Sequence, residues 1–124
     1  MTSAITATPL SDAEYHRLTS AVLAQIEAHL DRWLQGDVVD IDGQRTGGML
    51  EMRFPNRTHM VVNTQPPLHE LWLAAKAGGY HYKYQAGRWL DTRDGSEFFA
   101  ALSQHASAQS GVALVFSEPV SAPE

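Results

Sequence analysis

Two amphipathic helical segments enclose a series of short alternating segments, and this order is what most constrains the fold of the chain. Apolar residues recur at three- and four-residue spacing over 11–35 and 97–110, which is typical of helices that bury one stripe. Between them, short runs alternate apolar with polar side chains, as half-buried strands do. Strands flanked by one helix at each end favour an α+β two-layer sandwich, with both helices packed on one face of an antiparallel sheet. The other face is then left to solvent.

The predicted elements follow from cap, turn and periodicity signals. The first helix begins at a cap, either Ser11 or Asp12, and ends at Gly36, while the second follows a Ser96 cap and ends at Gly111. The buried stripe of the first helix is predicted from eight apolar residues: Tyr15, Leu18, Val22, Leu23, Ile26, Leu30, Trp33 and Leu34. Six strands are predicted, at residues 38–42, 49–54, 57–65, 69–76, 79–84 and 88–90.

Length and composition limit the chemistry. A chain of 124 residues can bury one core without staples, and we expect one domain over 11–116 with disordered segments at 1–10 and 117–124. The chain has no cysteine, which excludes disulfides, thiol nucleophiles and a cysteine-ligated cluster. No apolar run approaches the length of a membrane span, and no signal segment is evident. We therefore expect a cytoplasmic protein that does not bind membranes.

The acidic side chains are concentrated early in the chain. Residues 1–51 hold eight acidic and three basic side chains, which accounts for the whole formal net charge of −5. This asymmetry argues against a nucleic-acid partner, whose phosphates need a basic surface. It favours a cationic partner, such as a metal ion or a basic protein surface.

Several of these acids are placed along the first helix and the segment after it. Glu27 and Asp31 are one helical turn apart and point the same way, whereas Asp12 is about 28 Å from Asp31 at the helical rise. Asp40 and Asp42 share one face of the first predicted strand. Carboxylate oxygens suit hard cations such as Fe2+ or Fe3+, held weakly and over separate sites. A merely solvated acidic surface is the alternative.

A tryptophan lies where the alternation predicts solvent. In the fourth predicted strand Leu71 and Leu73 mark the buried face, so Trp72 lies on the opposite face. A large exposed aromatic is typical of a contact surface; the alternative is that another part of the fold covers it. Asn63 and Gln65 fall near Trp72 if the third and fourth strands are neighbours. These amides favour protein docking, or alternatively Asn63, Gln65 and Pro67 fix the bend into the fourth strand.

The same region resembles the signature of the frataxin family, and of its bacterial branch in particular. The resemblance is carried by Asn63-x-Gln65-x-Pro67-x4-Trp72-Leu73, by residues 78–82 and, less specifically, by residues 14–18, 87–89 and 94–95. It extends over about residues 12–116. The resemblance implies the α+β sandwich predicted above, and an iron-binding adaptor that regulates iron–sulfur cluster assembly without being an enzyme.

The resemblance also implies partners and site residues. It implies weak iron binding (Fe2+/Fe3+) at Asp12, His16, Glu27, Asp31, Asp37, Asp40 and Asp42. A cysteine desulfurase would dock on the acidic residues Glu27, Asp31 and Asp37, and the iron–sulfur scaffold protein would dock on Asn63, Gln65 and Trp72.

The chain departs from the denser acidic ridges of that family. Ala28 and Arg32 interrupt the acidic run, which implies low iron stoichiometry. An iron store with ferroxidase activity, or an iron chaperone, is one alternative function, and a protein-binding module whose acidic face mimics another polyanion is a second. We expect a monomer, because the sheet edges are short and charged.

Overall fold

A computed structural model describes residues 5–119, which form an α+β sandwich of two helices and a six-stranded sheet. The elements in chain order are α1 (Asp12–Gln35), β1 (Asp42–Thr46), β2 (Met49–Arg53), β3 (His59–Gln65), a 3-10 turn (Pro66–Leu68), β4 (Glu70–Ala75), β5 (Gly78–Gln85), β6 (Arg88–Asp91) and α2 (Phe98–Ser110). Each strand pairs antiparallel with the next, so the spatial order of the strands is the chain order. The predicted fold class is confirmed.

The core lies between the helices and the inner face of the sheet. The inner face buries Leu50, Met52, Met60, Val62, Leu71, Leu73, Tyr82 and Trp89. Against it, α2 buries the face that its periodicity predicts, which consists of Phe98, Phe99, Leu102 and Ala106. No helix within residues 5–119 is long and apolar enough to cross a membrane.

The start of α1 is a capping box. The Ser11 hydroxyl accepts a hydrogen bond from the Glu14 N–H (3.1 Å), and the Glu14 carboxylate accepts one from the Ser11 N–H (2.9 Å), so two otherwise unpaired donors are satisfied. The Ser11 N–H, and next to it the Ser11 hydroxyl, stabilise the charged carboxylate and lower the pKa of Glu14. The buried stripe of α1 also includes Thr19 and His29, which were not predicted. Leu34 is 54% exposed, so its predicted burial is wrong, because it lies at the border of the stripe in the last turn.

The first strand differs from its prediction. It occupies Asp42–Thr46 rather than residues 38–42, and a tight turn at 47–48 joins it to β2. All five residues of β1 are exposed, because β1 is an edge strand that pairs only with β2. The inner face of β1 consists of Gly43 and Arg45, which lie against α1, so the strand carries no apolar alternation. The apolar signal came from the residues just before it, where Ile41 is buried.

The cap of α2 is Glu97 rather than the predicted Ser96. The Glu97 carboxylate accepts hydrogen bonds from the Phe99 N–H (2.6 Å) and the Ala100 N–H (2.9 Å). Ser96 acts instead through its carbonyl, which accepts a hydrogen bond from the Asp91 N–H (2.8 Å). A carboxylate at this position also complements the positive end of the helix.

The segment after α2 packs along α1 without forming a strand. Phe116 meets the rings of His29 and Trp33 at centroid distances of 5.5 and 4.8 Å. The His29 Nε2 accepts a hydrogen bond from the Ser117 N–H (3.1 Å). Burial lowers the pKa of His29, which favours the neutral ring that this hydrogen bond requires.

The ends of the described segment also contact the domain. The Thr8 N–H donates a hydrogen bond to the Tyr84 carbonyl in β5 (2.8 Å), and Ser117 is bonded to α1. Both ends of the segment 5–119 are therefore tied to the fold. Residues 1–4 and 120–124 of the predicted disordered segments lie outside the described part, and the domain boundaries stay a prediction.

One buried hydroxyl joins α1 to the connection between β3 and β4. The Tyr15 hydroxyl accepts a hydrogen bond from the Gln65 N–H (2.9 Å) and donates one to the Glu70 carbonyl. Tyr15 is fully buried, and burial raises its pKa, so the hydroxyl keeps the proton that it donates. This side chain therefore fixes where β3 ends and where β4 begins.

Replacing Tyr15 with phenylalanine should lower the free energy of unfolding by about 1–3 kcal/mol, because two buried backbone groups lose their partner. Urea denaturation measures the change. Tyr84→Phe is the matched control, since the Tyr84 hydroxyl makes no hydrogen bond with residues 5–119, and it should cost no more than about 0.5 kcal/mol. Equal losses in the two variants would contradict the role of the Tyr15 hydroxyl.

Candidate functional site

Two rows of side chains cross the open face of the sheet, and we refer to them together as the sheet platform. The first row is in register from β1 to β5 and consists of Thr46, Met49, Asn63, Trp72 and His81. The second row consists of Gln65, Glu70 and Lys83. Asn63 lies directly opposite Trp72, and Gln65 opposite Glu70, so the three residues predicted for docking are neighbours.

Trp72 lies on the open face, as predicted, but it is half-buried. Its indole stacks on the ring of its register partner His81, with centroids 4.1 Å apart and planes inclined by 6°. The indole Nε1–H donates a hydrogen bond to the Glu70 carboxylate (2.7 Å). The partial cover therefore comes from neighbours on the same face, and no further layer of the fold is needed to explain it.

Glu70 is a platform residue that the sequence reasoning missed. It is only 8% exposed, although it lies on the face that is open to solvent. Lys83 Nζ lies 3.3 Å from its carboxylate and His81 Nδ1 lies 3.8 Å from it. The two-residue spacing from Trp72 puts Glu70 on the same face, but the cations come from β5, and sequence does not reveal that register.

The amides of Asn63 and Gln65 remain available for an external contact. Neither side chain makes a hydrogen bond within residues 5–119, and both residues are half-buried. The bend into β4 is instead fixed through the backbone of Gln65, which Tyr15 holds. In the alternative, Asn63, Gln65 and Pro67 fix this bend; Pro67 lies in the 3-10 turn there, and docking by the two amides stays a prediction.

We refer to Glu27, Asp31, Asp37, Asp40 and Asp42 as the acidic edge. Glu27 is paired with Arg45 of β1 at 3.0 Å, a cation that sequence reasoning did not assign to it. Asp31 is exposed and has no cationic partner among the described residues. The ion pair of Glu27 with Arg45 connects α1 to the edge strand β1. Glu27 is therefore the one acidic-edge residue with a cationic partner among the described residues.

The remaining acids of this edge surround the start of β1. Asp37, Asp40 and Asp42 are all exposed. Asp37 has a left-handed backbone (φ 57°) just after α1. The expectation that Asp40 and Asp42 share a strand face is wrong, because β1 begins at Asp42 and Asp40 precedes it. Asp42 is paired in register with Arg53, which lies on the open face of the sheet beside Glu51.

Asp12 and His16 lie in a separate place, at the start of α1. They line an open cleft of about 660 Å³ together with His69. The His69 Nε2 lies 2.7 Å from the Asp12 carboxylate, and the His69 ring stacks on Tyr15 with centroids 4.7 Å apart. The pairing of His69 with Asp12 joins residues 57 positions apart, which no sequence signal indicates.

The structure thus divides the predicted metal ligands between two places. Asp12 and His16 belong to the cleft, while the other five belong to the acidic edge. Within residues 5–119, no group of three or more histidine, aspartate or glutamate side chains is placed to hold one metal ion together. Single exposed carboxylates fit a hard cation that keeps most of its waters.

Comparison with known proteins gives concordant findings. A family described as a frataxin-like domain matches residues 8–112. The chain is 50% identical over 111 residues to the iron–sulfur cluster assembly protein CyaY of Polaromonas sp. strain JS666, covering 90% of this chain and 96% of that one. It is also 50% identical over 110 residues to the CyaY protein of Delftia acidovorans, covering 87% of this chain and 98% of that one.

Solved structures agree on the fold. Frataxin from Psychromonas ingrahamii superposes with a TM-score of 0.79 at 34% identity, covering 88% of this chain and all of that one. A trimeric frataxin from the yeast Saccharomyces cerevisiae, complexed with ferrous iron, has a TM-score of 0.64 at 19% identity and covers 83% and 88% of the two chains. At that identity the yeast protein bears on the fold alone.

Replacing Trp72 with alanine should cost about 1–2 kcal/mol of unfolding free energy, less than the roughly 3–5 kcal/mol that a fully buried aromatic loses. The physical reason is that the ring is half-buried on the open face and contacts mainly His81 and Glu70. Trp89→Ala is the comparison, since Trp89 is 4% exposed in the core. Chemical denaturation measures both variants, and an equal loss would place Trp72 in the core.

Proposed function

Since the chain belongs to the frataxin family, we propose that it acts in iron–sulfur cluster assembly as an iron-binding regulator and adaptor. It changes the rate of sulfur transfer or cluster formation and carries out no covalent step itself. The observation that carries this proposal is the unpaired charge of the acidic edge. Asp31, Asp37, Asp40 and Asp42 are exposed and have no cationic side chain within salt-bridge distance among residues 5–119.

The acidic edge docks on a basic surface of the cysteine desulfurase. Its unpaired carboxylates repel one another, and a cationic partner relieves that repulsion. Exposed charges mainly raise the rate of association and set the orientation of the partner. Docking therefore weakens as salt rises. The pair of Glu27 with Arg45 anchors the edge on the helix side, so the partner meets a surface of fixed shape.

Iron binds at the same carboxylates and at the cleft formed around Asp12 and His16. Oxygen ligands suit Fe2+ and Fe3+, and an imidazole also suits iron. Since no described site offers three ligands, each ion keeps several waters and is held weakly. Iron bound at the acidic edge offsets the charge that attracts the desulfurase, so iron level and docking are coupled.

The sheet platform docks on the scaffold protein. Trp72 supplies a large aromatic contact of the kind that dominates protein interfaces. Asn63 and Gln65 supply amide groups that have no partner within the described residues, and such groups fit the polar rim of an interface. The two surfaces are distinct, so the protein can contact desulfurase and scaffold together.

The experiment that tests this proposal is cluster formation by the cognate desulfurase and scaffold, with and without this protein, across an iron titration. An iron-dependent change in the rate supports the regulator and shows whether it inhibits or activates. An unchanged rate at saturating protein, with iron binding measured separately, contradicts it and favours iron storage or delivery.

Replacing Asp31 with lysine and Asp37 with asparagine should weaken desulfurase binding about tenfold, equivalent to about 1.4 kcal/mol, and should weaken iron binding as well. Asparagine is chosen at position 37 because it tolerates the left-handed backbone found there. Surface plasmon resonance measures docking, and calorimetry under anaerobic conditions measures Fe2+ binding.

The matched control is Gln104→Lys combined with Glu118→Lys, which changes the net charge by the same amount away from the acidic edge. Gln104 is exposed on α2, and Glu118 pairs with Arg88 of β6. If the control pair weakens docking as much as the first pair, the effect comes from net charge and the assignment of the acidic edge is wrong.

A further inference from the structure

We propose that Glu70 is a positioning residue that holds the Trp72 indole flat on His81 and so presets the sheet platform for the scaffold protein. This inference rests on the proposed docking role of the platform. It adds a residue that makes no required contact with the partner itself and acts through the orientation of Trp72.

The burial of Glu70 needs an explanation. Its side chain is only 10% exposed, on a face where a carboxylate could reach water. A carboxylate withdrawn from water is costly unless charged and hydrogen-bonding groups compensate it. Two groups do so here, the Trp72 Nε1–H at 2.7 Å and the Lys83 ammonium at 3.3 Å, and the His81 Nδ1 lies 3.8 Å away.

These contacts fix the Trp72 ring in two independent ways. The stack on His81, with planes inclined by only 6°, sets the tilt of the indole, and the hydrogen bond to Glu70 sets which edge of the ring points along β4. One face of the indole is therefore covered and its N–H is occupied. The remaining indole surface and the Asn63 amide are what a partner meets.

The groups that hold Glu70 from other elements come from β5 and α1. β5 supplies Lys83 and His81, and the Lys83 ammonium also donates to the Leu68 carbonyl in the 3-10 turn (2.9 Å). From the inner side, Tyr15 of α1 holds the Glu70 carbonyl. The backbone and the carboxylate of Glu70 are thus both anchored, so the carboxylate is a rigid acceptor for the indole.

A ring that is already ordered loses less side-chain freedom when a partner binds. Immobilising one rotamer-rich side chain on binding opposes affinity by an amount that corresponds to about twofold to tenfold in Kd. We therefore expect Glu70→Ala to weaken scaffold binding by about twofold to tenfold. Glu70→Gln keeps an oxygen that can accept from the indole and should retain most of the affinity.

The test combines scaffold binding with the indole N–H signals of the 15N-labelled protein, in which Trp72→Phe identifies the Trp72 signal by its loss. Glu70→Ala should move that signal, and Glu70→Gln should largely restore it. Glu51→Ala is the control on the same face, because the Glu51 carboxylate contacts Arg53 and His59 rather than Trp72. It should change neither the Trp72 signal nor the affinity.

Each result decides between the inference and its alternatives. An unmoved Trp72 signal in Glu70→Ala overturns the positioning role, and so does unchanged affinity when Trp72→Ala binds the scaffold weakly. If Trp72→Ala itself binds normally, the docking role of the platform fails, and the indole signal alone decides whether Glu70 orients the ring. If Glu70→Ala does not fold, Glu70→Met, which keeps the bulk of the side chain and removes the acceptor of the indole N–H, is judged by the same signal and affinity against Glu51→Met.

Discussion

The contacts of the Tyr15 side chain are the constraint on which two candidate surfaces depend, the cleft at the start of α1 and the sheet platform. This phenol comes from the first turn of α1, yet its partners are the backbone groups at the end of β3 and the start of β4. Because both partners are buried backbone groups, no water can replace the hydroxyl without opening the core. The helix and the centre of the sheet are therefore locked together at one atom.

Tyr15 contacts the cleft through its ring and the sheet platform through its hydroxyl. The ring of Tyr15 stacks on His69, whose imidazole reaches Asp12 in the cleft at the start of α1. The hydroxyl holds the backbone of Gln65 and Glu70, which present their side chains on the opposite face of the sheet. A structural residue with no exposed atom thus sets the geometry of a candidate metal cleft on one side and of a docking face on the other.

Periodicity predicted the parts of the fold that are amphipathic, and it failed where a segment has no buried face. The stripes of α1 and α2 and the alternation in β2 to β5 identified the core, because burial on one side imposes a repeat on the sequence. β1 has no such repeat, so the prediction placed this strand at residues 38–42, before its observed position at Asp42–Thr46. The acidic edge could be predicted from the composition of residues 1–51. Three contacts could not be predicted: Glu27 with Arg45, Asp12 with His69, and Trp72 with Glu70. They depend on strand register and on how the chain turns back on itself, which local sequence does not encode.

The agreement between chain order and strand order has a consequence for how the protein is made. Each strand can pair with the one just synthesised, so the sheet can grow while the chain leaves the ribosome. The helix α2, which covers the inner face at β5 and β6, is synthesised last. Until then Tyr82 of β5 lacks its contact with Phe98, whose ring packs edge-on against it at 5.2 Å. Until then the apolar inner face of β5 and β6 is exposed on the nascent chain. A chaperone that binds exposed apolar surface would act at this stage.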